Sequence, residues 1–195
     1  MNMSISTKNN KLLESKGILT LDEVCGLLKM SHTSIYRLVK SGELTRVSNG
    51  LYMLSNLIED PLEESFAIAC KKFGGDSSIA GPTALDYWGL SDSPSSQIWV
   101  ISNYNHNKNK LYRVLRTNKN IKIGIKKENH FQVTTLERTL SECLYISPKI
   151  GPMVGINAIR KAVSERRTTL EKVRTMATKI GHISSFKKYW ESLIV

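Results

Sequence analysis

The chain has 195 residues, 41% of them apolar, and 28 Lys+Arg against 17 Asp+Glu for a formal net charge of +11. That length holds one large domain or two small ones, and the apolar share is ordinary for a folded protein. No apolar run approaches the roughly eighteen residues a transmembrane helix needs, and the positive balance favours a polyanionic partner over a neutral one.

An anionic membrane is the rival polyanion, but no basic amphipathic helix with aromatic anchors is present. MNMSISTKNNKLLESKG has no apolar h-region, so no signal peptide is expected. Cys25, Cys70 and Cys143 are far apart, without CxxC spacing. They read as buried free thiols of a reducing, cytoplasmic compartment.

In chain order, STKNNKLLESKG suggests a first helix. In Leu19-Thr20-Leu21-Asp22-Glu23-Val24, Thr20 and Glu23 have capping-box spacing, and Leu19 and Val24 sit where a hydrophobic staple closes. Leu21, Val24, Cys25 and Leu28 then form one buried stripe. Lys29-Met30 breaks the helix, Ser31 caps the next one, and Gly42 stops it. Asn49-Gly50 lies between β-prone residues and predicts a type I′ hairpin turn, with Val47 beside Tyr52 and Arg46 beside Met53. Helix, helix, short turn, helix, hairpin over residues 1–56 is the order of a winged helix-turn-helix.

Asp60-Pro61-Leu62-Glu63 opens a second region, 60–195, with a helix expected to run to about Phe73 and end at Gly74-Gly75. Another helix should follow Gly81-Pro82 and stop near Gly89. QIWVIS, LYRVLR, IKIGIK and HFQVT are extended runs that suggest a small sheet. From Thr134 the pattern is helical: Thr134 to Glu137 and Thr168 to Glu171 have capping-box spacing, GPMVGINAIRKAVSERR makes a helix between them, and SSFKKYWESLIV reads as a terminal helix with Phe186, Tyr189, Trp190 and Leu193 on one face. The expected class is α+β and helix-rich. A winged helix-turn-helix leads a mixed α/β C-terminal domain with a small sheet and several terminal helices.

The stretch KMSHTSIYRLVKSGEL carries the chemistry. A helix that buries Ile35, Leu38 and Val39 turns its other side outward. The major groove admits one helix, whose first turn reaches base edges. That assigns His32, Thr33 and Ser34 to base edges, and Tyr36, Arg37 and Lys40 to phosphate or guanine. Arg46, Ser48 and Asn49 would hold the wing against the backbone or minor groove. An ordinary solvated helix and hairpin is the bland alternative. The tight turn, the wing and the basic balance together favour double-stranded DNA.

A second basic stretch holds Lys108, Lys110, Arg113, Arg116, Lys119, Lys122, Lys126 and Lys127 before the first acid, Glu128. It is expected either to add phosphate contacts or to serve as a solvated edge that blocks strand addition. No GxSxG, HExxH, P-loop or GxGxxG occurs, and His32, His106, His130 and His182 lack metal spacing. Glu14-Ser15-Lys16 matches part of a nuclease motif but sits on a helix. No catalysis, cofactor or metal is expected. Gly81-Pro82-Thr83 reads as a plain helix start, and Trp88, Trp99 and Trp190 as core or interface residues.

ILTLDEVCGLLKMSHTSIYRLVKSGELTRVSNGLYML, then SSIAGPTALDYWGL, QIWVIS, VTTLERTLSECL and the late helices around GINAIRKAV resemble, in this order, the AbiEi antitoxins of type IV toxin–antitoxin systems. The likeness spans nearly the full chain, and the Thr135 to Leu140 segment looks structural. The resemblance implies an autorepressor that binds inverted repeats in its own promoter, on which two copies can bind cooperatively. It also implies an antitoxin domain over 60–195 that counters a nucleotidyltransferase-like toxin without a stable complex, in abortive phage infection. Two other classes stay open. One is a ligand-responsive winged-helix regulator with 60–195 as its sensor, which would need a sizeable cavity with inward polar groups. The other is a nonspecific RNA or single-stranded DNA binder that uses the 108–127 surface.

Overall fold

The computed structural model describes residues 5–91, 94–103, 110–117 and 120–194. Lys108, Lys119 and His106 lie outside them. The architecture is α+β and divides into two compact units, Met1–Lys72 and Phe73–Val195.

In the first unit, Ser6 caps α1 (Thr7–Lys16), and a two-residue strand β1 (Leu19–Thr20) leads into α2 (Leu21–Leu28). The Thr20–Glu23 capping box forms in both directions: the Thr20 amide donates to Glu23 Oε2 at 2.6 Å and the Glu23 amide to Thr20 Oγ1 at 3.3 Å. Lys29, in the left-handed region at φ 54, ends α2. Ser31 then starts α3 (His32–Lys40), which gives way to β2 (Leu44–Ser48) and β3 (Leu51–Leu54). The sheet order is β1-β3-β2, all antiparallel. Leu13, Val24, Leu28, Ile35, Leu38, Leu44 and Tyr52 fill the core beneath it. This is a winged helix-turn-helix.

The wing departs from the expected register. Gly50 takes φ 74, but Asn49 is not among the residues with positive φ, so the turn is not type I′. A bulge between Arg46 and Ser48 puts Ser48 opposite Leu51, Arg46 opposite Tyr52 and Thr45 opposite Met53. With one left-handed residue instead of two, the turn supplies less of the strand twist, and the extra residue at Val47 restores it.

Asp60 caps α4 (Pro61–Phe73), its Oδ1 accepting from the Leu62 amide at 2.8 Å. Lys71 Nζ on α4 lies 2.7 Å from Glu23 Oε2 on α2.

The second unit begins with β4 (Ser78–Ile79) and α5 (Gly81–Tyr87), followed by β5 (Ile98–Ser102), β6 (Tyr112–Arg116), β7 (Ile125–Lys127) and β8 (Gln132–Thr134). The five strands lie in the order β6-β5-β4-β8-β7, with β4–β8 and β5–β6 parallel and the other pairs antiparallel. Of the run IKIGIK, the first four residues form a turn and the strand starts at Ile125.

After the sheet come α6 (Leu136–Tyr145), α7 (Ser147–Ile150), α8 (Pro152–Ser164), α9 (Leu170–Lys179), α10 (Ile183–Lys188) and α11 (Trp190–Leu193). α6 is the central helix, packed by α5, α8, α9 and α10 around Leu140, Cys143, Leu144, Ile159, Val173 and Phe186.

Both later capping boxes are corrected. Thr135 caps α6 without a side-chain hydrogen bond, and Thr169 caps α9 through the Lys172 amide. Glu137 instead accepts from Thr168 Oγ1 at 2.9 Å, so a contact across the fold replaces the local reciprocal bonds. The terminal helix is also corrected: it breaks at Tyr189, whose hydroxyl pairs with Ser147 Oγ at 2.9 Å, and Trp190 is 42% exposed.

Candidate nucleic-acid interface

The recognition helix is anchored from beneath. Ile35 and Leu38 are fully buried, Val39 is half-buried, and the helix start is closed by Ser31 Oγ, which accepts from the Ser34 amide at 3.4 Å. At the other end the Ser41 hydroxyl donates to the Leu38 carbonyl at 3.1 Å and to Glu43 Oε1 at 3.2 Å. Glu43 Oε2 in turn accepts from the Ile5 amide at 2.6 Å, so this acid is tied up inside the unit.

The outward side presents His32, Thr33, Tyr36, Arg37 and Lys40, all exposed, with Ser34 half-buried beside the cap. This is the division that the apolar spacing predicted. Two of these side chains have protein partners that the sequence did not reveal. His32 Nε2 sits 3.4 Å from Asp22 Oδ1, at the start of α2. Tyr36 is 47% exposed, and its hydroxyl lies near that of Tyr52 on β3. Burial, and then the neighbouring Tyr36 hydroxyl, raise the Tyr52 phenol above its ordinary range.

On the wing, Arg46 and Asn49 are exposed and Ser48 is half-buried. The Arg46 Nη2 donates to Asn49 Oδ1 at 2.6 Å across the turn. Arg37 and Lys40 on α3, Arg46 on β2 and Lys29 in the turn before α3 are exposed cations of one compact unit. Lys29 was missed as a candidate. Its signal was its position at a left-handed helix end, which leaves a long side chain in solvent.

The second basic stretch is dispersed. Arg113 and Arg116 belong to β6 and Lys126 and Lys127 to β7, the two opposite edges of the sheet. Arg113 lies over the Trp99 ring at 5.6 Å. Lys126 is 2.6 Å from Glu128 Oε1 and Lys122 is 3.4 Å from Asp76. Glu128 is held below the usual carboxylate range by hydrogen bonds from Lys126 and Tyr87. Lys110 is exposed just before β6. The described residues of this stretch therefore do not make one continuous positive face.

The two motifs of the second unit are used up internally. Thr83 Oγ1 accepts from the Trp99 amide at 2.9 Å and donates to the Gln97 carbonyl at 3.1 Å. Arg138, only 2% exposed, pairs with Glu142 at 2.8 Å and donates through Nη1 to the carbonyls of Asn120, Ile121 and Ile123. It fastens the turn before β7 to α6. Among the described residues no cluster of His, Cys, Asp and Glu could hold a metal ion, and no helix is long and apolar enough to cross a membrane.

Residues 10–55, the winged unit without its flanks, match the family model described as "Transcriptional regulator, AbiEi antitoxin". No curated protein matches the chain. In fold, it is similar to the RV2827C protein from Mycobacterium tuberculosis, whose crystal structure aligns over 99% of this chain and 83% of that one, with a TM-score of 0.56 and 12% identity. At that identity the likeness speaks for the fold alone.

Proposed function

We propose, from the premise that residues 10–55 are those of the AbiEi antitoxin transcriptional regulators, that this chain is a DNA-binding autorepressor that also acts as an antitoxin. The observation that supports the DNA role best is the outward row Thr33, Arg37 and Lys40 on a helix held by buried Ile35 and Leu38. In this reading, α3 enters the major groove of an inverted repeat in the chain's own promoter. Thr33 and Arg37 read base edges there, while Lys40, Lys29 and the wing residue Arg46 contact phosphate. His32, Ser34, Tyr36, Ser48 and Asn49 orient these groups and touch the duplex at their edges. The second unit supports neutralisation of a nucleotidyltransferase-like toxin, without a stable complex, in phage defence.

A footprint on the native promoter tests the first half. Arg37→Ala and Thr33→Ala should each cost about 1–3 kcal/mol of operator affinity and relax preference at particular base pairs. Wild-type binding by both variants refutes the docking. A rescue assay tests the second half. A fragment ending at Lys72, which keeps the Lys71–Glu23 contact, should bind the promoter yet fail to protect cells that express the toxin. Full protection by that fragment refutes the role given to residues 73–195.

A further inference from the structure

A cavity of about 600 Å³ opens in the second unit between β6, α6, α7 and the turn after α9, within the range of about 300–1,000 Å³ typical of small-molecule sites. Its floor is apolar: Ile101, Ile146 and Ile180 are buried there. Its rim is cationic and aromatic, with Arg116, Lys149 and Tyr145 exposed. Tyr145 stacks on His182 with centroids 4.0 Å apart and planes within 7°, a flat aromatic wall already assembled.

The polar groups in the lining are unevenly satisfied. The one acid of the lining, Glu142, is paired with Arg138 through Oε1. Glu142 Oε2 and His182 Nδ1 are buried with no hydrogen-bond partner. Buried polar atoms without partners are uncommon in native folds and often mark a place where a bound group belongs; a carboxylate oxygen calls for a donor there, such as an N–H of a planar body, and not for an anion. Burial, and secondarily the Arg138 charge, push His182 down to about 4, so the wall is neutral at pH 7 and the positive charge comes from the rim.

We infer that this cavity is a binding site for a small anionic molecule with a planar aromatic body. The planar part lies on the isoleucine floor against the Tyr145–His182 stack, and the anion lies between Arg116 and Lys149. Nucleoside monophosphates and aromatic carboxylates share this chemistry, whereas a bare inorganic anion has only half of it. The inference does not rest on the DNA reading.

The test is calorimetric titration of the full chain, without DNA, against adenosine and guanosine monophosphate, benzoate, indole-3-acetate and inorganic phosphate. At least one aromatic anion should bind saturably at one site, and whether nucleotide or carboxylate binds tighter names the source. Lys149→Glu and Arg116→Glu should each weaken that binding tenfold or more. Tyr145→Ala should weaken it as well, while Lys172→Glu, at an exposed position of α9, should leave it unchanged. Circular dichroism checks that each variant is folded. The inference fails if no aromatic anion binds, if phosphate alone binds as tightly, or if the folded rim variants bind like the wild type.

Discussion

The Arg46 Nη2 donates to the Asn49 Oδ1 at 2.6 Å, closing the wing turn with a side-chain bond. A guanidinium held this way is fixed in position before DNA arrives and keeps its remaining donors for phosphate. Arg46→Ala should weaken promoter and random DNA to a similar degree and reduce the slope of log affinity against log salt by about one. Asn49→Ala should keep that slope and lose only part of the affinity, because the charge remains and its positioning is lost. Fluorescence anisotropy over a salt series measures both. Loss confined to the promoter in Arg46→Ala would contradict a phosphate role.

The two cationic edges of the larger sheet can be tested apart. If either adds phosphate contacts, reversing Arg113 and Arg116 to Glu, or Lys126 and Lys127 to Glu, should flatten the salt slope for one pair and not the other, since they occupy opposite edges. Equal flattening by both pairs would show that the edges meet the duplex together.

Arg138 and Glu142 form a buried ion pair, with side chains 2% and 5% exposed. Burial raises the Glu142 carboxyl against the pull of Arg138. Removing one partner strands the other, so Arg138→Met should cost about 3–5 kcal/mol in chemical denaturation. Arg138→Met with Glu142→Leu should recover a large part of that loss, though not the anchoring of the Asn120, Ile121 and Ile123 carbonyls. A double variant as unstable as the single one would place the whole effect in those carbonyl bonds.

His182 gives the fold a pH dependence of known sign. Its folded pKa of about 4 lies below the unfolded value of 6.5, because burial and Arg138 disfavour the imidazolium. Folding thus favours the neutral ring. The contribution is complete above pH 6.5, declines as pH falls toward 4, and is spent below it. His182 is partly exposed, so the change is about 1–2 kcal/mol, less than the full shift implies. Thermal or urea melts of His182→Phe, which keeps a ring beside Tyr145, should show a flatter decline between pH 6.5 and 4. An identical decline in both proteins would assign it to other groups.

The local features of the first unit were legible because short-range chemistry decides them. Thr20 and Glu23 cap one helix, Ser31 caps the next, and the stripe of Ile35 and Leu38 fixes which side of α3 faces out. What the sequence hid depends on contacts between distant residues. β1 and β4 are two residues long and exist only because β3 pairs with the one and β5 and β8 with the other. Thr168 is drawn to Glu137 rather than to its own helix, and Tyr189 to Ser147, which ends the helix there. In the candidate interface, the outward row was readable from period alone, but the partners of His32 and Tyr36 were not. The cavity left a faint trace: a glutamate among the apolar positions of α6, four residues after an arginine.

Ile35 and Leu38 share one core with Leu44 and Tyr52, which ties the helix that would enter one groove to the strands that carry the neighbouring loop. Neither probe can then pivot alone, and the distance between their footprints on a duplex becomes a built-in ruler. A target whose two contact points are spaced differently must itself bend or twist to fit, so this shared core converts a spacing in the protein into a selection on the shape of the DNA.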